Sequence, residues 1–129
     1  MKYIYFISAA IVVVGVVAYL MVRNRKPLTD INEEVLDGEL SFESIVAFMK
    51  SLQLDPKSDI PFIGKADCPE FRKMLHAPFP KAKEGYVPLF IGVYNERTDL
   101  ITHNKLIHAQ SLDHKILEIL GGENLVVLK

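Results

Sequence analysis

Hydrophobic and polar positions alternate along this chain in three different ways. From Tyr3 to Val22 no side chain is charged, and eleven of those residues are Ile, Val, Leu or Phe. At about 1.5 Å per helical residue the run reaches about 30 Å, the depth of a bilayer's hydrocarbon core. From Leu28 to Leu75 apolar residues recur three and four apart, which predicts amphipathic helices. From Tyr86 onward apolar residues come in continuous runs bounded by turn residues, which predicts strands.

Within the middle region, Asp30 and Glu33 have the spacing of a capping box. Leu28, Ile31 and Val35 follow as a short stripe, and Asp37-Gly38 ends that helix. Ser41 caps a second helix, with Leu40 and Ile45 placed as a staple. Phe42, Ile45, Val46, Met49 and Leu52 lie on its buried side. Pro56 and Pro61 predict a loop. Asp67, Pro69 and Glu70 open a third helix that buries Phe71, Met74 and Leu75, and Pro78 and Pro80 stop it.

Pro88 to Tyr94 and Leu100 to His108 then predict a β-hairpin around the polar Asn95–Asp99. Ser111 caps a last helix with Leu112, Ile116, Leu117 and Leu120, closed by Gly121-Gly122, and Leu125 to Leu128 reads as a terminal strand. The expected class is α+β: one N-terminal transmembrane helix, then a small domain of two or three helices followed by a β-β-α-β unit. Residues 1–26 form the anchor and its basic flank. Residues 27–129 form a single small α+β soluble domain, helical over 28–76 and hairpin, helix and strand over 86–129, enough for one core.

The first run has features of an uncleaved span. Its aliphatic residues favour insertion by roughly 3 to 7 kcal/mol. Tyr3, Tyr5 and Phe6 stand at one end and Tyr19 near the other, where interfacial aromatics belong. The run exits through Tyr19-Leu20-Met21-Val22 without an A-x-A pattern. Gly15 falls mid-span. Arg23, Arg25 and Lys26 follow, against Lys2 and the α-amino group before it, and this one-charge margin places the domain on the cytoplasmic side of a membrane. The alternative is a secreted domain after cleavage of residues 1–22. Ser8, Gly15 and Ala18 share one side of the span and offer a homodimer contact.

Charge narrows the partners. Residues 27–70 carry a net −7 and residues 71–129 a net +2, which argues against nucleic acid, since that would want a basic stripe. The lone Cys68 forms no intramolecular disulfide. It opens a predicted helix beside Asp67, and a small buried apolar residue is the expected role. His103 and His108 are five apart and point to opposite faces of a regular strand, and His76 and His114 add no zinc spacing.

Asp37-Gly38-Glu39-Leu40-Ser41-Phe42-Glu43 resembles the second half of an EF-hand loop. Registered on Gly38, that family's third and twelfth ligand positions fall on Val35 and Ser44, which supply neither the oxygen nor the bidentate carboxylate that calcium needs. Val87 to Leu120 resembles the C-terminal half of the thioredoxin fold, which would make Pro88 its cis-proline. That family's C-x-x-C is absent, and residues 27–86 offer no predicted strand–helix–strand unit. Gly121-Gly122 follows a helix instead of opening one, so no phosphate loop exists.

The expectation is therefore no cofactor, no metal and no catalytic residue. The chain reads as a single-pass, membrane-anchored interaction domain, an accessory or assembly subunit of a membrane-associated complex that binds another membrane-associated protein. Leu125, Val126, Val127 and Leu128, with Tyr86 to Tyr94, form the expected docking edge. The alternative is a ligand-sensing or catalytic domain with a site assembled from Cys68, Tyr94, His103 and His108.

Overall fold

The apolar run at Val87–Asn95 becomes the middle of a sheet, flanked on both sides, because seven consecutive residues of it are buried. A strand buried on both faces needs neighbours for its backbone groups and covers for its side chains. The computed structural model describes residues 30–69, 71, 72, 79–123 and 125–128. In chain order these form β1 (Glu33–Leu40), α1 (Phe42–Ser51), β2 (Asp59–Lys65), β3 (Val87–Asn95), β4 (Leu100–Leu112), α2 (His114–Leu120) and β5 (Leu125–Val127). The strands make one sheet in the order β1-β4-β3-β2-β5. β1 runs parallel to β4, and every other pairing is antiparallel.

This mixed sheet with two short helices overturns the expected α+β arrangement of helices followed by a β-β-α-β unit. The helical part over 28–76 contains two strands. Glu33–Leu40 is extended because its backbone bonds run to β4, and in that form Leu36 and Leu40 face the core while Val35 does not. The short stripe Leu28, Ile31, Val35 offered a helix much less burial than that pairing. Gly38, at φ 138°, sits where the β1–β4 register slips by one residue. An extra residue there needs a backbone conformation that L side chains rarely adopt.

Asp59–Lys65, expected as loop, is β2 between β3 and β5. Pro61 does not prevent this. Its carbonyl accepts from the Leu128 N–H at 2.8 Å, so its nitrogen faces β5 at the end of that ladder and no bond to β3 is lost. A strand–helix–strand unit thus precedes residue 86 after all, as β1–α1–β2, still without a second cysteine. No peptide bond among the described residues is cis, Pro88's included.

The expected anchor lies outside the described residues, as do its basic flank and Ser8, Gly15 and Ala18. Among the described residues no helix is long and apolar enough to cross a membrane. The helix expected from Asp67 is helical at Pro69, Phe71 and Arg72, and the Arg72 N–H donates to the Cys68 carbonyl, so Cys68 is its cap. Glu70 and residues 73–78 lie outside the described set.

Two apolar clusters cover the sheet. On the helical face, Phe42, Ile45 and Met49 of α1 and Ile116 and Leu120 of α2 pack on Ile63, Leu89, Ile91, Val93, Ile107 and Val126. On the far face, Phe71 and Phe79 pack on Phe62, Phe90, Tyr94 and Leu125. Gly64 admits Phe71: a Cβ there would lie 2.0 Å from the ring.

Asp113 ties the two helices together. Its side chain accepts from Ile116 N–H at 2.8 Å, capping α2, and from Phe42 N–H at 2.6 Å, at the first turn of α1. The expected cap was Ser111, but Ser111 is still inside β4. Ser41 caps α1 as predicted, with Ser44 N–H donating to its hydroxyl.

Candidate functional site

β1 is the edge strand with the most exposed surface, and the sequence explains why. Glu33, Glu34, Asp37 and Glu39 put four carboxylates into eight residues, and such side chains stay in water. Val35 is exposed as well, at 50%. The Leu106 N–H donates to the Asn32 carbonyl at 2.7 Å, and the Asn32 N–H donates to Asn104 Oδ1 at 2.9 Å. Backbone groups alternate sides along a strand, so Asn32, Glu34 and Leu36 address β4. The N–H and C=O of Glu33 and Val35 point the other way, outward from the sheet.

Polar pairs hold this strand in place. Glu34 Oε1 meets Lys105 Nζ at 2.9 Å on the helical face. Glu33 Oε1 meets His108 Nε2 at 3.0 Å on the far face, where His108 is buried and its Nδ1 has no hydrogen-bond partner among the described residues. The Tyr86 hydroxyl donates to the Asp37 carboxylate across β4, and this bond first, then burial and the carboxylate's charge, pushes the phenol up from its ordinary value. These contacts fix the direction in which the edge faces.

Beside the edge, on the helical face, α1 and the sheet do not close completely. A hollow of about 100 Å³ opens there between Glu34, Leu36 and Leu40 of β1 and Ser44, Ile45 and Phe48 of α1, floored by Ile91 and Ile107. Lys105 stands at its rim with Nζ 4.8 Å from the Phe48 ring centroid. Six of its lining side chains are apolar, Phe48 among them, and the other three are one acid, one base and one hydroxyl. Ligand pockets typically measure about 300 to 1,000 Å³, so this one is sized for a side chain and not for a cofactor.

The residues singled out from sequence are dispersed differently. Leu125 to Leu128 do lie at the opposite sheet edge, with all four side chains buried. Tyr86 to Tyr94 does not form an edge, because β3 is paired on both sides. His103 pairs with Val93 and shares the helical face, whereas His108 pairs with Pro88 on the far face. Cys68 is half-buried against the far-face cluster that includes Tyr94. His114 is exposed and pairs with Glu118 at 2.8 Å along α2.

At the other end of the sheet, Asp55 and Asp59 serve their own loop. Asp55 accepts from Lys57 N–H at 3.0 Å and the Ser58 hydroxyl at 3.1 Å and faces Arg97 at 3.5 Å. These contacts, the Lys57 backbone bond foremost, hold its carboxyl below the usual carboxylate range. Asp59 accepts from Asp55 N–H and from Asn95 Nδ2, both at 2.8 Å. Among the described residues no three His, Cys, Asp or Glu side chains are grouped to hold a metal ion.

The β1 edge was missed because its residues have helix-like capping spacing and no strand-like hydrophobic alternation. Its usable signal was the density of acids around Val35-Leu36. Compared with protein-family models, curated proteins and solved structures, the chain matches none.

Proposed function

We propose that this chain is a protein-docking subunit, held on the cytoplasmic side of a membrane by residues 3–22, to which a partner adds an extended segment along β1. The carrying observation is the outward edge of β1, where Glu33 and Val35 direct backbone donors and acceptors away from the sheet beside exposed side chains. Unpaired strand groups recruit another strand, with main-chain bonds supplying affinity and side-chain pockets supplying selectivity. Tethering supports this role, because confinement at a surface raises the effective concentration of a weak partner. An accessory or assembly subunit of a membrane-associated complex has these requirements.

The test places a photo-crosslinking amino acid at position 35 of the full-length chain in its own cells, with position 117 as control. Leu117 is equally exposed, at 52%, but lies on α2. A discrete heavier adduct from position 35, absent from position 117, is the expected result. Absence of any adduct at position 35, or equal adducts from both positions, overturns docking at β1. Alkaline carbonate extraction tests the tether independently: release of the full-length chain into the supernatant overturns the membrane part.

A further inference from the structure

Resting on docking at β1, we infer that the occupant is a basic extended segment with one aliphatic side chain that fills the hollow between β1 and α1. A strand added outside β1 alternates its side chains between the two faces in step with β1. The residue opposite Leu36 points to the helical face, at the mouth of the hollow lined by Leu36, Ile45 and Phe48. An apolar cavity of about 150 Å³ accommodates a benzene-sized group, so about 100 Å³ suits one aliphatic side chain. The residues opposite Glu33, Val35 and Asp37 point to the far face, where two carboxylates flank an exposed valine. Lysine or arginine suits all three places, since the charged head meets the acids and the stem covers Val35.

Charge also decides against a second copy of this chain. Pairing two β1 edges would oppose Glu33, Glu34, Asp37 and Glu39 with the same four carboxylates, and like charges facing each other across strands are destabilising. A basic segment reverses the sign of that term and speeds encounter at low salt. Among the described residues the lysine at the site, Lys105, is held by Glu34 and Phe48, and the acids of the edge outnumber it.

The experiment uses the full-length chain in zwitterionic detergent and three fluorescent hexapeptides, read by anisotropy. The matched probe is Lys-Thr-Lys-Leu-Lys-Thr, the second replaces Leu by Ser, and the third replaces every Lys by Glu. The matched probe is expected to bind about tenfold or more tighter than the Ser probe, and the acidic probe not to bind. Ser44→Phe, which fills the mouth, should abolish the preference for Leu over Ser. Val35→Pro should abolish binding, because it removes an outward N–H without touching the β4 ladder. If that variant melts early, N-methylating the probe's backbone makes the same test without altering the protein. Equal binding of the Leu and Ser probes, tighter binding of the acidic probe, or undiminished binding by the N-methylated probe overturns the inference. Crosslinking at position 35 in cells then shows whether edge docking survives with a partner of other chemistry or falls too.

Discussion

The two edges of the sheet are built on opposite principles. β5 has three residues, all buried, with Val126 in the helical-face cluster and Leu125 and Val127 in the far-face cluster. β1 has eight residues, four of them acids, and is held by its ladder to β4, by Leu36 and Leu40 on the core, and by paired charges and amide clamps. An edge that contributes its side chains to both cores is a structural element first. An edge that turns only Leu36 and Leu40 to the core and leaves its acids in water can offer its outer backbone groups to a partner without loss of core. Its acids also discourage indiscriminate strand pairing, the usual hazard of an exposed edge.

Mutations can break or sharpen this contrast. The largest separation should come from truncation: Leu125→Ala on β5 costs about 3 kcal/mol in urea unfolding of the full-length chain, whereas Val35→Ala on β1 stays within about 0.5 kcal/mol. Comparable losses at the two sites would remove the distinction. Next, Gly64→Ala drives a Cβ into Phe71 and should cost about 2 kcal/mol, visible as a lowered Tm, because strand β2 that carries β5 must shift to relieve the clash.

A smaller effect is expected where β1 meets the helices. Asp113→Ala removes the α2 cap and a bond to the first turn of α1, and should cost about 1 to 2 kcal/mol. Asp113→Asn should recover part of that loss, since an amide oxygen also caps. The smallest effect is read by pH. The folded state binds the Tyr86 proton more tightly than the unfolded chain does, so the Tyr86–Asp37 contact contributes below the ordinary tyrosine pKa and is lost as pH rises through the folded value. Phenolate absorbance should show a late-ionising component from Tyr86 that Asp37→Asn returns toward the ordinary range. An unchanged titration in that variant would mean that the contact does not orient β1.

Legibility along the chain followed the strength of local burial. α1 was readable because Ser41, Phe42, Ile45 and Met49 combine a cap with one buried stripe, and the structure uses all four. β3 and β4 were readable from their apolar runs and the Asn95–Asp99 turn, where Asn95 Oδ1 accepts from both Arg97 and Thr98 N–H. β1 was not, because an edge strand needs few apolar residues and its acids fit a helix start equally well. β2 was not, because Pro61 argues against an interior strand unless its nitrogen faces the end of a short neighbour, which only the pairing with β5 supplies. The hollow was beyond reach for the same reason: its walls come from β1, α1, β3 and β4.

By itself the amino-acid order determined the buried stripe of α1 and where that helix begins, the buried run of β3, and that an uncharged run of bilayer length precedes a region with an acidic first half. Those properties depend on side chains a few residues apart, so they can be read without knowing the fold. Tertiary structure alone decided that Glu33–Leu40 is an edge strand, that β3 is central, and that Asp113 serves two helices. Each of these depends on hydrogen bonds between residues far apart in the chain, and such bonds have no local signature.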